Sequence, residues 1–199
     1  LEAWHQFKNA EPKEEGEPAW PSAGGDSMRG SLLGPEFSES EIRRALEAHG
    51  AVFERLDETA MLERAAGLLA DGAMLGWFQG RMEFGPRSLG GRSILGDARL
   101  ASMQSAINQK VKFRESFRPF APAVLEERAG EYFDLTAESP YMLLVADVAK
   151  SQRLARPADE SAGFARLKHA RSTLPAVTHV DGSARVQTVG RERHPFFWR

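Results

Sequence analysis

A stretch without hydrophobic periodicity, residues 79–99, most constrains the fold of this chain. It holds five glycines, one proline and four arginines, and its apolar residues follow neither the helical nor the strand period. Glycine and proline at this density interrupt regular elements. Ordered loops of this length in compact domains usually carry function. We therefore predict a long functional loop here, with helices and strands on both sides of it.

Sequence patterns before this loop predict two helices and two short strands. Ser38 and Glu41 have the spacing of a capping box, which marks the start of a helix. Asp57 can cap a second helix, whose apolar residues follow at helical spacing. The apolar runs 51–56 and 73–78 predict strands.

The pattern after the loop is again mixed. A helical spacing resumes over 103–111, and the apolar run 141–148 predicts a buried strand. The polar and basic residues 149–172 predict an insertion or a mobile loop. Helices and strands are interspersed along the chain, so we predict the α/β (α+β) class with an open mixed sheet.

A β-hairpin is predicted near the C-terminal end. An Asp-Gly dipeptide joins the alternating runs 176–180 and 183–189, a pattern typical of a tight two-residue turn between antiparallel strands. In such a hairpin Thr178 lies opposite Arg185, and the two side chains face the same way.

Basic residues are concentrated in one part of a slightly acidic chain. The net charge is −2, yet residues 80–118 carry eight basic and three acidic side chains. The glycine-rich run 85–91 offers backbone N–H groups to an anion, and arginine offers a planar fork that matches phosphate or carboxylate. Lys112 and Arg114 alternate, so we expect them to share one strand face. The segment predicts a phosphate-binding pocket, although it matches neither a Walker A loop nor a Rossmann fingerprint.

Composition excludes several classes of protein. The chain contains no cysteine, which excludes disulfides, thiolate nucleophiles and cysteine-based zinc sites. No apolar run is long enough to span a bilayer, so we expect no membrane partner and a cytoplasmic location. The basic residues form one compact glycine-rich group instead of a stripe, which argues against nucleic acid as a partner.

Both ends of the chain are predicted to be cuts. It begins at Leu1 and ends on an aromatic run at Arg199, and residues 8–31 have the composition of a linker. We predict that residues 1–30 are the tail of a preceding domain plus a linker. Residues 31–199 would then form one domain, incomplete at its C-terminus.

Five sequence runs stand out: GRMEFGPRSLG (80–90), RSIL (92–95), KFR (112–114), FRPFAP (117–122) and THVDGSARVQT (178–188). Together they resemble the O-carbamoyltransferases of nodulation-factor, aminoglycoside and cephamycin biosynthesis. The similarity covers about residues 31–195 and implies a YrdC-like domain, with an open, twisted mixed sheet and flanking helices, preceded by a Kae1-like domain.

The resemblance implies that this domain makes carbamoyl-adenylate from carbamoyl phosphate and ATP, with Mg²⁺ accompanying the nucleotide. The upstream Kae1-like domain would hold iron or another divalent metal and transfer the carbamoyl group to a hydroxyl of a natural product or saccharide. No metal ligand is implied within this chain. The implied catalytic residues are Arg87, Lys112 and Arg118, and the implied substrate- and nucleotide-binding residues are Arg87, Ser88, Lys112, Arg114, Arg118, Thr178 and Arg185.

Two alternatives remain open at this stage. A nucleic-acid-binding module is one, because YrdC-like domains also occur in tRNA-modification enzymes. An inactive fragment is the other, because the family continues past Arg199 with an Asn-Thr-Ser-Phe-Asn-like run that contributes to the nucleotide site. The segment 149–172 is also longer than the resemblance implies.

Overall fold

The computed structural model describes residues 28–155 and 170–199. The predicted upstream tail lies outside these ranges except for residues 28–30. Residues 156–169 of the predicted insertion also lie outside them. The two ends of that insertion contact each other, since Leu154 N–H donates to Arg171 O at 2.9 Å and Thr173 N–H to Gln152 O at 2.9 Å.

Helices and strands are mixed in the described residues, which confirms the predicted α+β class. The helices are α1 (Glu39–Ala48), α2 (Glu58–Ala70), α3 (Ala101–Lys110), α4 (Ala129–Tyr132) and α5 (Pro195–Trp198). The strands are β1 (Leu75–Phe78), β2 (Arg92–Leu95), β3 (Ala123–Leu125), β4 (Val145–Asp147), β5 (Ser183–Arg185) and β6 (Gln187–Val189). Short 3₁₀ turns occupy Arg29–Ser31, Glu126–Arg128 and Lys150–Gln152.

The strands of the described residues pair two by two, whereas the sequence predicted one open mixed sheet. β1 pairs with β2 and β4 with β5, both antiparallel, and β3 pairs with β6 in parallel. Only Val186 separates β5 from β6. One extended segment, 183–189, therefore pairs with β4 through its first half and with β3 through its second.

The two helix starts predicted from caps are confirmed. Ser38 Oγ accepts from Glu41 N–H at 3.3 Å, and Glu41 Oε2 accepts in return from Ser38 N–H at 2.8 Å. Asp57 Oδ1 accepts from Ala60 N–H at 2.9 Å at the start of α2. Each side chain satisfies an N–H group that has no partner within its own helix.

The larger hydrophobic core lies on one side of segment 183–189. Val148, Ala184 and Val186 are completely buried, and Phe133 is 1% exposed. Ala184 and Val186 are two residues apart, so they point to the same face of the extended segment. Packing on that face fixes the backbone that carries Arg185.

A second core joins α3 to β2 and to a turn near residue 176. Met103 and Ile107 of α3 pack with Ala176, and Ile94 of β2 lies against them. The approach is close at Gly96, where a Cβ would lie 2.7 Å from the Met103 sulfur. Glycine is therefore required where the chain leaves β2.

Two strand predictions were wrong in existence or extent. Residues 51–56 form no strand, and Val52 is fully exposed. The strand predicted over 141–148 is limited to β4 and is not buried throughout, since Leu143 is 75% exposed. The first run lies at the surface, where water can satisfy the backbone. The second alternates between buried residues such as Ala146 and Val148 and exposed ones. An apolar run alone does not show whether a neighbouring strand is present.

The predicted hairpin is also wrong, although its turn exists. His179 N–H donates to Ser183 O at 2.7 Å across the Asp-Gly turn. Residues 176–180 form no strand, and β5 pairs with β4 instead. The physical reason is local: Thr178 Oγ1 donates to Leu174 O at 2.8 Å, which holds the chain in a compact turn.

The glycine-rich loop is shorter than predicted because its last part forms β2. The register places Leu75 opposite Leu95 and Phe78 opposite Arg92. Gln79 N–H donates to Gly91 O at 2.9 Å and extends the ladder by one step. Residues 80–91, called the glycine loop below, are therefore the connection of a β-hairpin.

The larger core should dominate stability. Phe133→Ala is expected to lower the free energy of unfolding by about 3–5 kcal/mol, because it removes a buried aromatic ring and leaves a cavity. Urea denaturation followed by circular dichroism measures the change. Leu143→Ala, at an exposed position beside the same core, should change stability by no more than about 0.5 kcal/mol. Equal losses in the two variants would contradict this assignment of the core.

Candidate anion-binding site

The glycine loop is folded around the carboxylate of Glu83. Glu83 is 6% exposed, and its Oε1 accepts from Leu89 N–H at 2.7 Å and from Gly91 N–H at 2.6 Å. Arg92 N–H lies 3.2 Å from both carboxylate oxygens. The side chain at the start of the loop therefore holds the backbone at its end.

Backbone donors keep the buried Glu83 carboxylate ionised. Burial by itself raises the pKa of Glu83, but the N–H groups of Leu89, Gly91 and Arg92 outweigh burial and place the pKa below its ordinary value. Gly90 N–H donates to Ser93 Oγ at 3.1 Å. The backbone cradle predicted for an external phosphate is thus filled from within over residues 89–92.

Glycine is required at the end of the loop for steric reasons. A Cβ on Gly91 would lie 2.7 Å from Arg81 O and 3.1 Å from the Glu83 carboxyl carbon. Gly90 has a φ of 110°, and a Cβ there would lie 2.6 Å from the Phe197 ring. The loop can therefore close around Glu83 only with glycine at both positions.

The glycine loop is attached to segment 183–189 through a buried amide. Gln187 is 2% exposed, and its Nε2 donates to Leu89 O at 2.7 Å. Arg185 precedes Gln187 by two residues on the extended segment, so both side chains face the loop, opposite the larger core. This arrangement explains why Arg185 lies near Arg87 of the loop.

Arg87 and Arg185 form a pair of like charges. Burial, and after it the nearby Arg87 guanidinium, lower the pKa of Arg185. The Nε of Arg185 is buried and has no hydrogen-bond partner, while Arg87 and its neighbour Ser88 are exposed. Neither guanidinium forms an ion pair within residues 28–155 and 170–199. An anion between the two would satisfy the orphaned donor and remove the repulsion.

A second basic group follows α3 and is organised by Asn108. Asn108 is completely buried, and its Nδ2 donates to Ser116 O at 3.2 Å and to Arg118 O at 2.8 Å. Its Oδ1 accepts from Arg114 Nε at 2.6 Å. Arg114 is therefore half-buried, with its guanidinium bound to Asn108. The same amide fixes the backbone of Arg118.

The remaining cations of this group are at the surface. Residues 111–118 form a turn, so the predicted strand face shared by Lys112 and Arg114 is wrong; Phe113 has a φ of 48°. Lys112 is exposed, and Arg118 Nε lies 3.0 Å from Glu115 Oε2 in an exposed pair. Within the described residues, no hydrogen bond or ion pair links this group to Arg87 or Arg185.

The hydroxyl of Thr178 is fully used in hydrogen bonds within the protein. Thr178 is 5% exposed, and its hydroxyl lies 2.7 Å from Ser172 Oγ in addition to its bond with Leu174 O. The residue opposite Arg185 is Val145, so the predicted pairing of Thr178 with Arg185 is wrong. We assign Thr178 to the support of the turn.

Sequence reasoning missed three polar residues that build the site. The sequence pattern shows Glu83 only as a negative charge among the arginines, and it does not distinguish Asn108 or Gln187 from other polar residues. The available signals were weak: an acid beside a glycine-rich run, an asparagine inside a helix and a glutamine in an apolar strand. All three bind backbone groups, whose positions a sequence pattern does not reveal.

The described residues show neither a metal cluster nor a membrane span. No group of three or more His, Asp or Glu side chains in residues 28–155 and 170–199 could hold a metal ion. Among the helices of these same ranges, none has the length and apolar character needed to cross a membrane.

Comparison with known proteins identifies the family. Residues 66–199 match the family model described as "Carbamoyltransferase C-terminus". The chain belongs to this family, which confirms the predicted membership. It is 48% identical over 203 residues to the protein named sll1178 from Synechocystis, an alignment that covers all of this chain and 32% of that relative.

Two further relatives carry functional names. Nodulation protein NolNO of Sinorhizobium fredii is 43% identical over 89% of this chain and 24% of its own length. The 3'-hydroxymethylcephem-O-carbamoyltransferase of Amycolatopsis lactamdurans is 39% identical over 67% of this chain and 22% of its own length. The chain thus spans about a third or less of these curated relatives.

The ionised state of Glu83 predicts a pH dependence of stability. Because the folded-state pKa is lowered, the carboxylate stabilises the fold above its unfolded pKa of about 4.3 and loses this effect as pH falls through the folded pKa. The difference in unfolding free energy between the wild type and Glu83→Gln should shrink when urea denaturation is repeated from about pH 7 to about pH 3. Glu63→Gln, at an exposed position of α2, controls for loss of one charge. A difference that grows on acidification would contradict the arrangement.

The amide of Asn108 predicts a specific loss of stability. Asn108→Ala should cost about 1–3 kcal/mol, because it removes three part-buried hydrogen bonds made by a completely buried side chain. Gln104→Ala removes an exposed amide of the same helix, which donates to Phe117 O at 2.8 Å, and should cost less. Denaturant unfolding compares the two, and an equal or larger loss in Gln104→Ala would contradict the role of Asn108.

Proposed function

We propose that this chain is the carbamoyl-activating part of an O-carbamoyltransferase, in which Arg87 and Arg185 bind a phosphate group of carbamoyl phosphate or ATP. The observation that carries the proposal is the buried Arg185 Nε, which has no hydrogen-bond partner. Arg87 is close enough to contribute, after burial, to the lowered pKa of Arg185. Membership of the carbamoyltransferase C-terminal family supports the choice of substrates.

The proposed chemistry depends on concentrated positive charge. Carbamoyl phosphate loses inorganic phosphate to water and leaves carbamate. A carbamate oxygen then attacks the α-phosphorus of ATP, the bond to the bridging oxygen of pyrophosphate breaks, and carbamoyl-adenylate forms. Guanidinium groups would hold the two anions together and neutralise charge on the departing pyrophosphate.

The exposed cations are proposed to complete the site. Ser88 lies beside Arg87 and can donate its hydroxyl to a phosphate oxygen. Lys112 and Arg118 are the proposed further contacts to carbamoyl phosphate. Arg118 would exchange Glu115 for the ligand at little cost, because an exposed ion pair contributes only about 0–1 kcal/mol. Arg114 would support the site from behind through Asn108.

Magnesium would be carried by the nucleotide. The described residues offer no carboxylate cluster for it, and Mg²⁺ commonly binds through substrate phosphates and water. Transfer of the carbamoyl group to an acceptor hydroxyl is proposed for the whole protein. There it would belong to an upstream Kae1-like domain that holds iron or another divalent metal.

Calorimetric titration with carbamoyl phosphate and with ATP tests the proposal. Arg87→Ala and Arg185→Ala should each weaken binding roughly tenfold or more, since a charge-assisted hydrogen bond contributes about 1.5–3 kcal/mol. Lys112→Ala should weaken the binding of carbamoyl phosphate by a similar factor. Arg43→Ala, at an exposed position of α1, removes the same charge and should leave both affinities unchanged.

Two outcomes would contradict the proposed function. Unchanged affinity for both ligands in Arg87→Ala and Lys112→Ala would remove the site from these residues. RNA binding with a steep salt dependence, together with no affinity for a mononucleotide, would favour a nucleic-acid-binding module instead.

A further inference from the structure

We propose that Glu83 is a positioning residue whose carboxylate takes the place of an anion inside the glycine loop and thereby holds Arg87 and Ser88 against Arg185. This inference rests on the proposed phosphate site. It adds Glu83 to the residues on which the site depends, although Glu83 would not contact the ligand and carries a negative charge, as the ligand does.

The loop tip, residues 85–88, is fixed at both ends. Before the tip, Phe84 N–H donates to Ser31 O at 2.6 Å. After the tip, Leu89 N–H donates to Glu83 and Leu89 O accepts from Gln187. Glu83 is thus the side chain that closes the loop, and the buried amide of Gln187 joins the closed loop to segment 183–189, which also carries Arg185.

The donors that Glu83 engages define what the tip can offer a ligand. The N–H groups of Leu89, Gly91 and Arg92 are bound to its carboxylate, so they are not available to phosphate. Proline at position 86 has no N–H. Ligand affinity would therefore reside in the tip itself, in the side chains of Arg87 and Ser88 and the backbone N–H groups of residues 85, 87 and 88. The position of the tip depends on the clasp, by which we mean the Glu83 carboxylate together with the three N–H groups bound to it.

The sign of the effect separates positioning from simple electrostatics. A carboxylate near Arg87 repels an anion, so electrostatics alone predicts that Glu83→Gln binds phosphate more tightly. Positioning predicts weaker binding, because a neutral amide accepts backbone hydrogen bonds less strongly and can present its own N–H to the backbone donors. The two readings therefore give opposite changes in affinity.

The experiment measures pyrophosphate affinity by calorimetry well below the melting temperature. Glu83→Gln should raise the Kd at least about tenfold, since displacement of a binding group by about 1 Å can cost up to a hundredfold. Glu83→Asp keeps the charge with a shorter reach and should give a smaller increase. Glu131→Gln, which removes an exposed acid paired with Arg128, is the charge-matched control and should not weaken binding.

Each outcome decides the proposal. An unchanged or lowered Kd in folded Glu83→Gln would overturn it, even if the melting temperature falls. Should Glu83→Gln fail to fold, Glu83→Asp replaces it: a raised Kd supports the proposal and a wild-type Kd overturns it.

Backbone NMR order parameters without ligand distinguish this inference from the proposed function. If wild-type protein binds no pyrophosphate, the phosphate site fails, but the effect of the clasp on the loop tip is still measured. Lower order parameters at residues 87–88 in Glu83→Gln support positioning. Lower order parameters confined to Leu89 and Gly91 contradict it.

Discussion

The ionised carboxylate of Glu83, surrounded by backbone N–H groups, is the interaction on which the site depends. A buried charge is costly unless donors surround it, and a glycine-rich loop is costly to order because its backbone has many conformations. In this chain one set of hydrogen bonds reduces both costs: the N–H groups of the loop stabilise the buried carboxylate, and the carboxylate fixes the conformation of the loop. The absence of a Cβ at Gly91 allows the backbone to approach the acid closely enough. A flexible connection thereby becomes a fixed support for Arg87.

The period of two along segment 183–189 couples this site to the larger core. Ala184 and Val186 are completely buried on one face, whereas Arg185 and Gln187 lie on the other face, toward the glycine loop. Hydrophobic burial on the first face fixes the position of the backbone, and therefore the position of the side chains on the second face. The guanidinium of Arg185 is therefore placed by packing that it does not itself take part in. A change in the core would reach the site through this strand.

Local signals in the sequence predicted the parts of the fold that depend on neighbouring residues. The cap of α1 at Ser38 is an example, because its partner is three residues away. Membership of the family could also be predicted, because its characteristic runs are local in sequence. Pairing between distant segments was not: β5 finds its partner at Val145, and no pattern in the run 176–180 shows that its own turn prevents a hairpin. The role of Glu83 could not be predicted for a related reason, since its partners are backbone groups that only folding brings together.

The repulsion between Arg87 and Arg185 would link the proposed anion binding to folding. In the unfolded chain these residues are far apart in sequence and contribute little to each other's energy. In the folded chain burial of Arg185 and its proximity to Arg87 disfavour its charged form, and no described acid compensates. The proposed anion would remove this cost in the folded state alone, so it would stabilise the fold as any ligand selective for the native state does. Without a ligand the two arginines are in an arrangement that is unfavourable by itself, and the clasp and the larger core maintain it.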